Sequence, residues 1–271
     1  MIDSKLQEQL RARFNPDNSL LRQIQLRQLE ILKYVDDVCK KNDIPYWLSS
    51  GTLIGAVRHA GFIPWDDDLD IEMLKPDFDK LCGILKAEPM AKFVLQTHDT
   101  DPEYVASFAK VRDVNSELFE DCGADRWYTY RGVYIDIFAL VPSNSAFITR
   151  ITGSLQWRFL HSLAKLNNSR IRKIMTTIMY TLLHRLLFPI LTFLTSIGVN
   201  GRLRQLHGST FIKPRFYKDI FPLKLGVFEG LSFPIPNAAD QYLRRIYGDY
   251  TQLPDMEHLH VHASRVRLFD D

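Results

Sequence analysis

Cysteine is scarce in this chain. Cys39, Cys82 and Cys122 are odd in number, widely spaced and without a Cys-x-x-Cys pair, which excludes a disulfide framework and a zinc ribbon. The N-terminus, Met1-Ile2-Asp3-Ser4-Lys5-Leu6-Gln7-Glu8, lacks the basic start and apolar stretch of a secretory signal, so a cytoplasmic location is expected. There is no internal repeat and no low-complexity tract. At 271 residues and 46% hydrophobic the chain is instead expected to bury a substantial core.

The most informative absence is of acid. From position 137 to 218 there is no Asp or Glu, while twelve Lys and Arg fall there, so the remainder carries −10 within a total of +2. An acidic body joined to a basic, apolar segment points to contact with an anionic surface. A long uninterrupted apolar run is also missing. Ile174–Val199 is strongly apolar, but His184, Arg185 and Pro189 divide it, and the unbroken part from Leu186 is shorter than the roughly 20 residues that cross a bilayer. Spanning is therefore not expected. Two readings remain: a pair of buried helices completing the core, or a helical hairpin in the membrane interface with its Lys and Arg near the headgroups.

What is present is concentrated between Tyr46 and Ile71. Ser49-Ser50-Gly51-Thr52 follows an extended segment and opens a short helix, presenting hydroxyls and backbone N–H groups suited to phosphate. Within a few residues comes Trp65-Asp66-Asp67-Asp68-Leu69-Asp70-Ile71. In an extended chain Asp66, Asp68 and Asp70 share a side, and carboxylates so crowded repel one another unless a cation neutralises them. An all-oxygen set suits Mg²⁺ or Mn²⁺. A calcium loop of the EF-hand type is excluded, because counting from Asp66 the required Gly is Ile71 and the required Glu is Asp77. Asp136 is the one carboxylate in the apolar run Gly132–Leu140, and it is the natural third metal ligand there.

The pattern predicts an α+β fold. A helix is expected over Ser19–Asn42, strands over Tyr46–Ser49 and Asp68–Met73, and helices over Thr52–His59 and Pro76–Leu85. Further strands are expected over Phe93–Thr97, Tyr104–Val111, Ser116–Phe119 and Gly132–Leu140, a hairpin over Gly226–Pro236, and a helix from Asn237 to Tyr247. The chain divides at this level into a catalytic core (1–144), a basic apolar helical segment (145–204) and a C-terminal part completing the same domain (205–271).

Five motifs give the chain a family likeness: Ser50-Gly51-Thr52-Leu53-Ile54-Gly55-Ala56-Val57-Arg58-His59, Gly61-Phe62-Ile63-Pro64-Trp65-Asp66-Asp67-Asp68-Leu69-Asp70, Lys110-Val111-Arg112-Asp113, Gly132-Val133-Tyr134-Ile135-Asp136-Ile137-Phe138 and Tyr247-Gly248-Asp249-Tyr250. In these it resembles the LicD family of phosphocholine transferases, whose relatives include fukutin-type pentitol-phosphate transferases. The resemblance implies a nucleotidyltransferase-like mixed sheet flanked by helices, with the basic helical segment as an insertion. It also implies that a phosphoryl-linked alcohol passes from a CDP carrier, such as CDP-choline, to a sugar hydroxyl of a glycan or glycolipid. By analogy Asp68 and Asp70 bind Mg²⁺ and Asp136 completes the site or serves as base, with Asp66 as a further partner. No role in nucleic-acid binding is implied.

The chemistry of the residues agrees with that expectation. Ser50, Gly51 and Thr52 would hold the donor diphosphate, with Arg58, Lys110 and Arg112 as charge partners, although an exposed strand end would explain the last two equally well. Trp65, Trp127, Tyr128 and Tyr130 would offer aromatic faces to a quaternary ammonium, or serve as core. His258, His260 and His262 form a tail cluster where the family usually has an Arg and His pair. Two other functions are compatible with the sequence: a nucleotidyltransferase that releases pyrophosphate, and a membrane-associated glycan-binding scaffold without catalysis.

Overall fold

The computed structural model describes residues 2–88, 90–120, 125–257 and 263–269. His258, His260, His262 and Cys122 lie outside the described residues. A short helix α1 (Ser4–Phe14) precedes α2 (Leu20–Lys41), which starts on the Ser19 hydroxyl, an acceptor for the Arg22 N–H at 3.1 Å. The apolar stripe of α2, with Ile31, Leu32 and Val35 fully buried, packs on the sheet.

That sheet has seven strands. β1 (Trp47–Leu48) pairs antiparallel with β2 (Asp70–Leu74), and β2 runs parallel to β6 (Tyr134–Pro142). Beyond β6 lie β4 (Ala109–Asp113) and the edge strand β3 (Phe93–Gln96), both antiparallel. The far half of β6 pairs with β7 (Arg202–Gln205), which in turn pairs with β8 (Arg215–Phe216), so residues beyond the helical segment return to the same sheet. Helix α3 (Ser50–Ile54) sits between β1 and β2, and α4 (Lys75–Ala87) follows β2 with Pro76 in its first turn. β5 (Ser116–Glu120) lies off the main sheet.

The mixed α+β architecture expected from sequence is the one found, with shifts at element ends. Tyr104–Phe108 is not strand: the predicted strand begins at Ala109 and continues to Asp113, because the Asp101 carbonyl accepts from the Tyr104 N–H and turns the chain first. The predicted helix Thr52–His59 starts earlier, at Ser50, and widens into a π-helical turn over Gly55–His59.

The segment after β6 departs more. Helix α5 (Ala146–Ala164) is followed by one continuous helix, Ser169–Ser196, in which α6 (Ser169–Tyr180) and α7 (Phe188–Ser196) join through a π-helical stretch, Thr181–Leu187. No break falls at Pro189: a π-helical turn directly precedes it, the Phe188 N–H reaching back to the Leu183 carbonyl, and the helix runs on past the proline. At 28 residues this helix is long and apolar enough to cross a membrane by length and composition, which corrects the expectation that the run is too short. One side of it is nonetheless packed on the protein: Arg172, Thr176, Leu183, Phe188 and Thr195 are buried, and Leu183 and Phe188 share a cluster with Val105, Phe159 and Leu163. The other side presents Ile171, Ile174, Ile178, Leu182, Leu186, Ile190 and Phe193, spaced three or four apart and all exposed, Phe193 at 68%.

After β8 come the short helix α8 (Tyr217–Ile220), a hairpin of β9 (Lys224–Phe228) and β10 (Leu231–Ile235), and α9 (Ala239–Tyr247), which ends at Gly248. β11 (Ala263–Leu268) pairs with β5. Helix α9 lies over the sheet face bearing Asp70 and Glu72: its Tyr242 hydroxyl donates to Glu72 at 2.5 Å, and Glu72 also receives Arg215 at 2.5 Å and Gln205 at 3.1 Å in the fully buried interior.

Candidate active site

Strand register sets the centre of the site. Asp70 and Asp136 stand opposite each other on the parallel strands β2 and β6, so their side chains emerge on the same face. Lys110 stands opposite Asp136 from the other side, on β4, and its ammonium lies 2.8 Å from Asp136 Oδ1. The Lys110 charge also sits over the Tyr134 ring, 3.2 Å from its centroid. Across three strands the order is therefore carboxylate, carboxylate, ammonium.

The Ser-Gly-Thr turn is tied directly to this row. The Thr52 hydroxyl accepts the Asp70 N–H at 2.8 Å, and the Asp70 carbonyl accepts the Ser49 N–H at 3.1 Å. The Ser50 hydroxyl is bonded to the Asp70 carboxylate on one side and to the Tyr247 hydroxyl on the other. Ser50 holds a left-handed backbone (φ 48°), an arrangement that costs energy for a non-glycine residue and concentrates at functional sites. Gly51 has its own reason: a Cβ there would lie 2.6 Å from Asp66 Oδ2 and would push that carboxylate aside.

The Asp66–Asp70 loop is held from behind by α2. Gln25 Nε2 donates to the Asp66 carbonyl at 2.9 Å and Gln28 Nε2 to the Asp67 carbonyl at 2.7 Å, while Arg22 grips Glu229, whose other oxygen accepts the Phe62 N–H at 3.0 Å. Asp67 is buried and the other three aspartates are half-buried, as the alternation requires. The Asp66 and Asp68 carboxyl groups lie within hydrogen-bonding reach of each other. Desolvation pushes the Asp66 carboxyl well above its usual range, and Asp68 and Asp70 push it further. Asp70 is raised in the same way by burial, then by Asp68 and Asp136, against the opposing pull of Ser50 and Lys110.

By its chemistry this donor set suits a hard divalent cation: all oxygen, and crowded beyond what Lys110 relieves. Among the described residues no group of three or more Asp, Glu, His or Cys side chains is placed to hold a metal ion by itself, so a cation here would need further ligands from substrate or water.

The other residues singled out from sequence fall in different places. Arg58 is buried, bonded to His59 and to the carbonyls of Tyr250 (2.7 Å) and Gln252 (3.2 Å); burial lowers its pKa while the Asp66 charge opposes. Arg112, two residues on along the same face of β4 as Lys110, is buried with its guanidinium 4.7 Å from the Tyr134 ring, donating to Gln96 Oε1 at 2.5 Å and to the Gly132 carbonyl at 2.8 Å. Trp65 packs edge-on against Phe14 and His59, whereas Trp127 lies under the guanidinium groups of Arg172 and Arg126 and Tyr128 meets Tyr104. Trp65 and the other aromatics thus have separate partners. Sequence reasoning missed the work of Gln25, Gln28 and Tyr247; two glutamines inside an apolar helical stripe were the visible signal for the first two.

Residues 43–165 match the family model described as LicD/FKTN/FKRP, nucleotidyltransferase domain. Lipopolysaccharide cholinephosphotransferase LicD of Haemophilus influenzae is 26% identical over 255 residues, covering 88% of this chain and 93% of that protein. The human ribitol 5-phosphate transferase FKRP is 42% identical over 48 residues, 18% of this chain and 10% of that one, and the mouse ribitol-5-phosphate transferase FKTN 36% over 52, 19% and 11%. The family model covers the segment that carries the carboxylate row, and the likeness to the Haemophilus influenzae LicD protein runs along nearly the whole chain.

Proposed function

We propose that the protein transfers phosphocholine, or a related alcohol phosphate, from a CDP-linked donor to a sugar hydroxyl of a surface glycan or its lipid-linked precursor. The observation that carries this reading is the in-register row Asp70–Asp136–Lys110 beside the Ser50-Gly51-Thr52 turn, inside the domain shared with the cholinephosphotransferase and the ribitol-phosphate transferases. Asp68 and Asp70, with Asp66 alongside, would hold Mg²⁺ or Mn²⁺, which when bound neutralises diphosphate charge and steadies the departing CMP.

The chain's own groups do the rest by positioning and electrostatics. Ser50, Gly51 and Thr52 cradle the diphosphate. Lys110 keeps Asp136 charged and oriented, and Asp136 takes the proton of the acceptor hydroxyl as that oxygen bonds to the transferred phosphorus. The bond from phosphorus to the bridging oxygen breaks, and CMP leaves with the electron pair. The exposed strip from Ile171 to Phe193, within a segment free of acidic residues, supports peripheral attachment to the anionic inner face of a membrane. Since the same helix is packed along its other side, it lies in the interface plane rather than across the bilayer.

The test is incubation with CDP-choline, Mg²⁺ and a membrane glycolipid extract, with Asp68→Asn as control. CMP release with label on glycolipid, lost in the variant, is the expected result. Pyrophosphate release would replace this reading with nucleotidyl transfer. If no CMP appears, CDP-ribitol, CDP-glycerol and CDP-ethanolamine are tried in turn, and silence from all of them would refute it.

A further inference from the structure

A cavity of about 570 Å³ lies between the sheet and the inner side of the Ser169–Ser196 helix, and no residue of the proposed phosphate or metal site lines it. Its volume is that of a small-molecule site, roughly 300–1,000 Å³. The floor includes Phe108, whose ring lies 5.4 Å from the Lys110 ammonium and 4.8 Å from Phe138, the residue two beyond Asp136 on the same face of β6. Phe108 thus links the cavity lining to the Lys110–Asp136 pair.

One wall is a fixed stack. His98 lies 3.5 Å from Tyr180 between ring centroids, Tyr180 4.4 Å from His184, and His184 meets Phe188 at 4.9 Å. The π-helical stretch carries His184 into this stack, and Gln156 fixes the ring at 2.9 Å. Burial lowers the pKa of His184 to about 4 and depresses His98 as well, so the stack is uncharged at neutral pH. His98 Nδ1 is buried without a hydrogen-bond partner among the described residues. The rim carries Asp79 and Asp99, each in an ion pair, with Lys75 at 2.5 Å and Arg185 at 3.5 Å. The mouth reaches Phe193, which belongs to the exposed apolar strip.

These walls suit a neutral, hydroxylated ring better than an anion. The Lys75 and Arg185 charges are already paired, whereas carbons of a sugar ring would meet the aromatic side chains and its hydroxyls the Asp79 and Asp99 carboxylates. We propose that this cavity is the acceptor site: it takes the terminal sugar of a membrane glycolipid, entering beneath the apolar strip, and presents its hydroxyl towards Asp136. This rests on the transferase reading above.

Two cavity-filling variants test it, Ala106→Trp and Thr192→Trp, each at a half-buried lining position. Both are first confirmed as folded by thermal melting, so that one suffices if the other fails. With the glycolipid extract, the KM for acceptor is expected to rise about tenfold or more relative to the KM for CDP-choline. An unchanged ratio, or a rise in the donor KM alone, overturns the assignment. Binding of the deacylated, labelled glycan from the same extract is measured by equilibrium dialysis without any donor. Binding to the wild type that a filled cavity abolishes sustains the site even where no CDP-alcohol is turned over; no binding to the wild type, or equal binding to a folded variant, overturns it.

Discussion

The carboxylate face of the sheet and the long basic helix break opposite rules of folding. On the sheet, like charges are crowded into half-buried positions where each raises the proton affinity of the next. On the helix, large apolar side chains stand in water with no acidic residue from position 137 to 218 to accompany them. Each arrangement is costly in the isolated chain, and under the proposed function each would be relieved by a different ligand, cation and phosphate in the first case and an anionic bilayer in the second. The comparison teaches that the places where the chain departs from ordinary burial are those where something else is expected to bind.

Strand β2 offers the sharpest way to break that comparison, since Asp70 and Glu72 sit two residues apart on one face. Glu72 is buried but satisfied by Arg215, Gln205 and Tyr242. Glu72→Ala leaves the Arg215 charge buried and uncompensated, so a loss of about 3–5 kcal/mol is expected, read as a large fall in denaturant midpoint. Asp70→Asn should do the reverse. It removes one of the mutually repelling charges, so the midpoint holds or rises, while transfer falls by about 10²–10³-fold. A destabilised Asp70→Asn protein would mean that the row is structural.

The helix is tested at its exposed side. Ile178→Glu with Leu186→Glu places charge on two side chains that are about half exposed and pack on nothing essential. Burial of one such side chain in a bilayer is worth about 1.5–3 kcal/mol, so flotation on phosphatidylglycerol-containing vesicles should fall tenfold or more while the melting temperature is unchanged. Equal flotation of variant and wild type would show that this strip is not the contact.

Much of this was legible in the chain. The row of aspartates, the Ser-Gly-Thr turn and the mixed fold follow from alternation and turn chemistry that act over a few residues. What was not legible depends on register between distant strands. That Lys110 meets Asp136, while Arg112 on the same face of β4 reaches Gln96 and the Gly132 carbonyl, follows from pairing β4 with β6 and β3, which no local pattern encodes. Tyr247 reaches Ser50 for the same reason, through the packing of α9. The continuous helix was misread because Pro189 counts as a breaker by sequence, whereas the π-helical turn before it, which no local pattern marks, carries the helix past it.

The smallest expected effect separates the two regions by pH. His184 is held neutral by burial, its pKa lowered to about 4 from 6.5. Between those values the unfolded chain binds a proton that the folded chain does not. Its contribution to stability is therefore complete above pH 6.5, declines as the pH falls, and reaches its minimum below about 4. Asp66 and Asp70 act in the opposite sense, because their raised pKa values mean that the folded chain takes up protons first and mutual repulsion is relieved on acidification. The wild-type curve mixes the two. His184→Gln removes the imidazole alone, so the melting temperature of the variant should decline less than that of the wild type between pH 6.5 and 4. Parallel curves would show that the His98–Tyr180–His184 stack opens to water before it titrates, and that the wall of the cavity is softer than its packing implies.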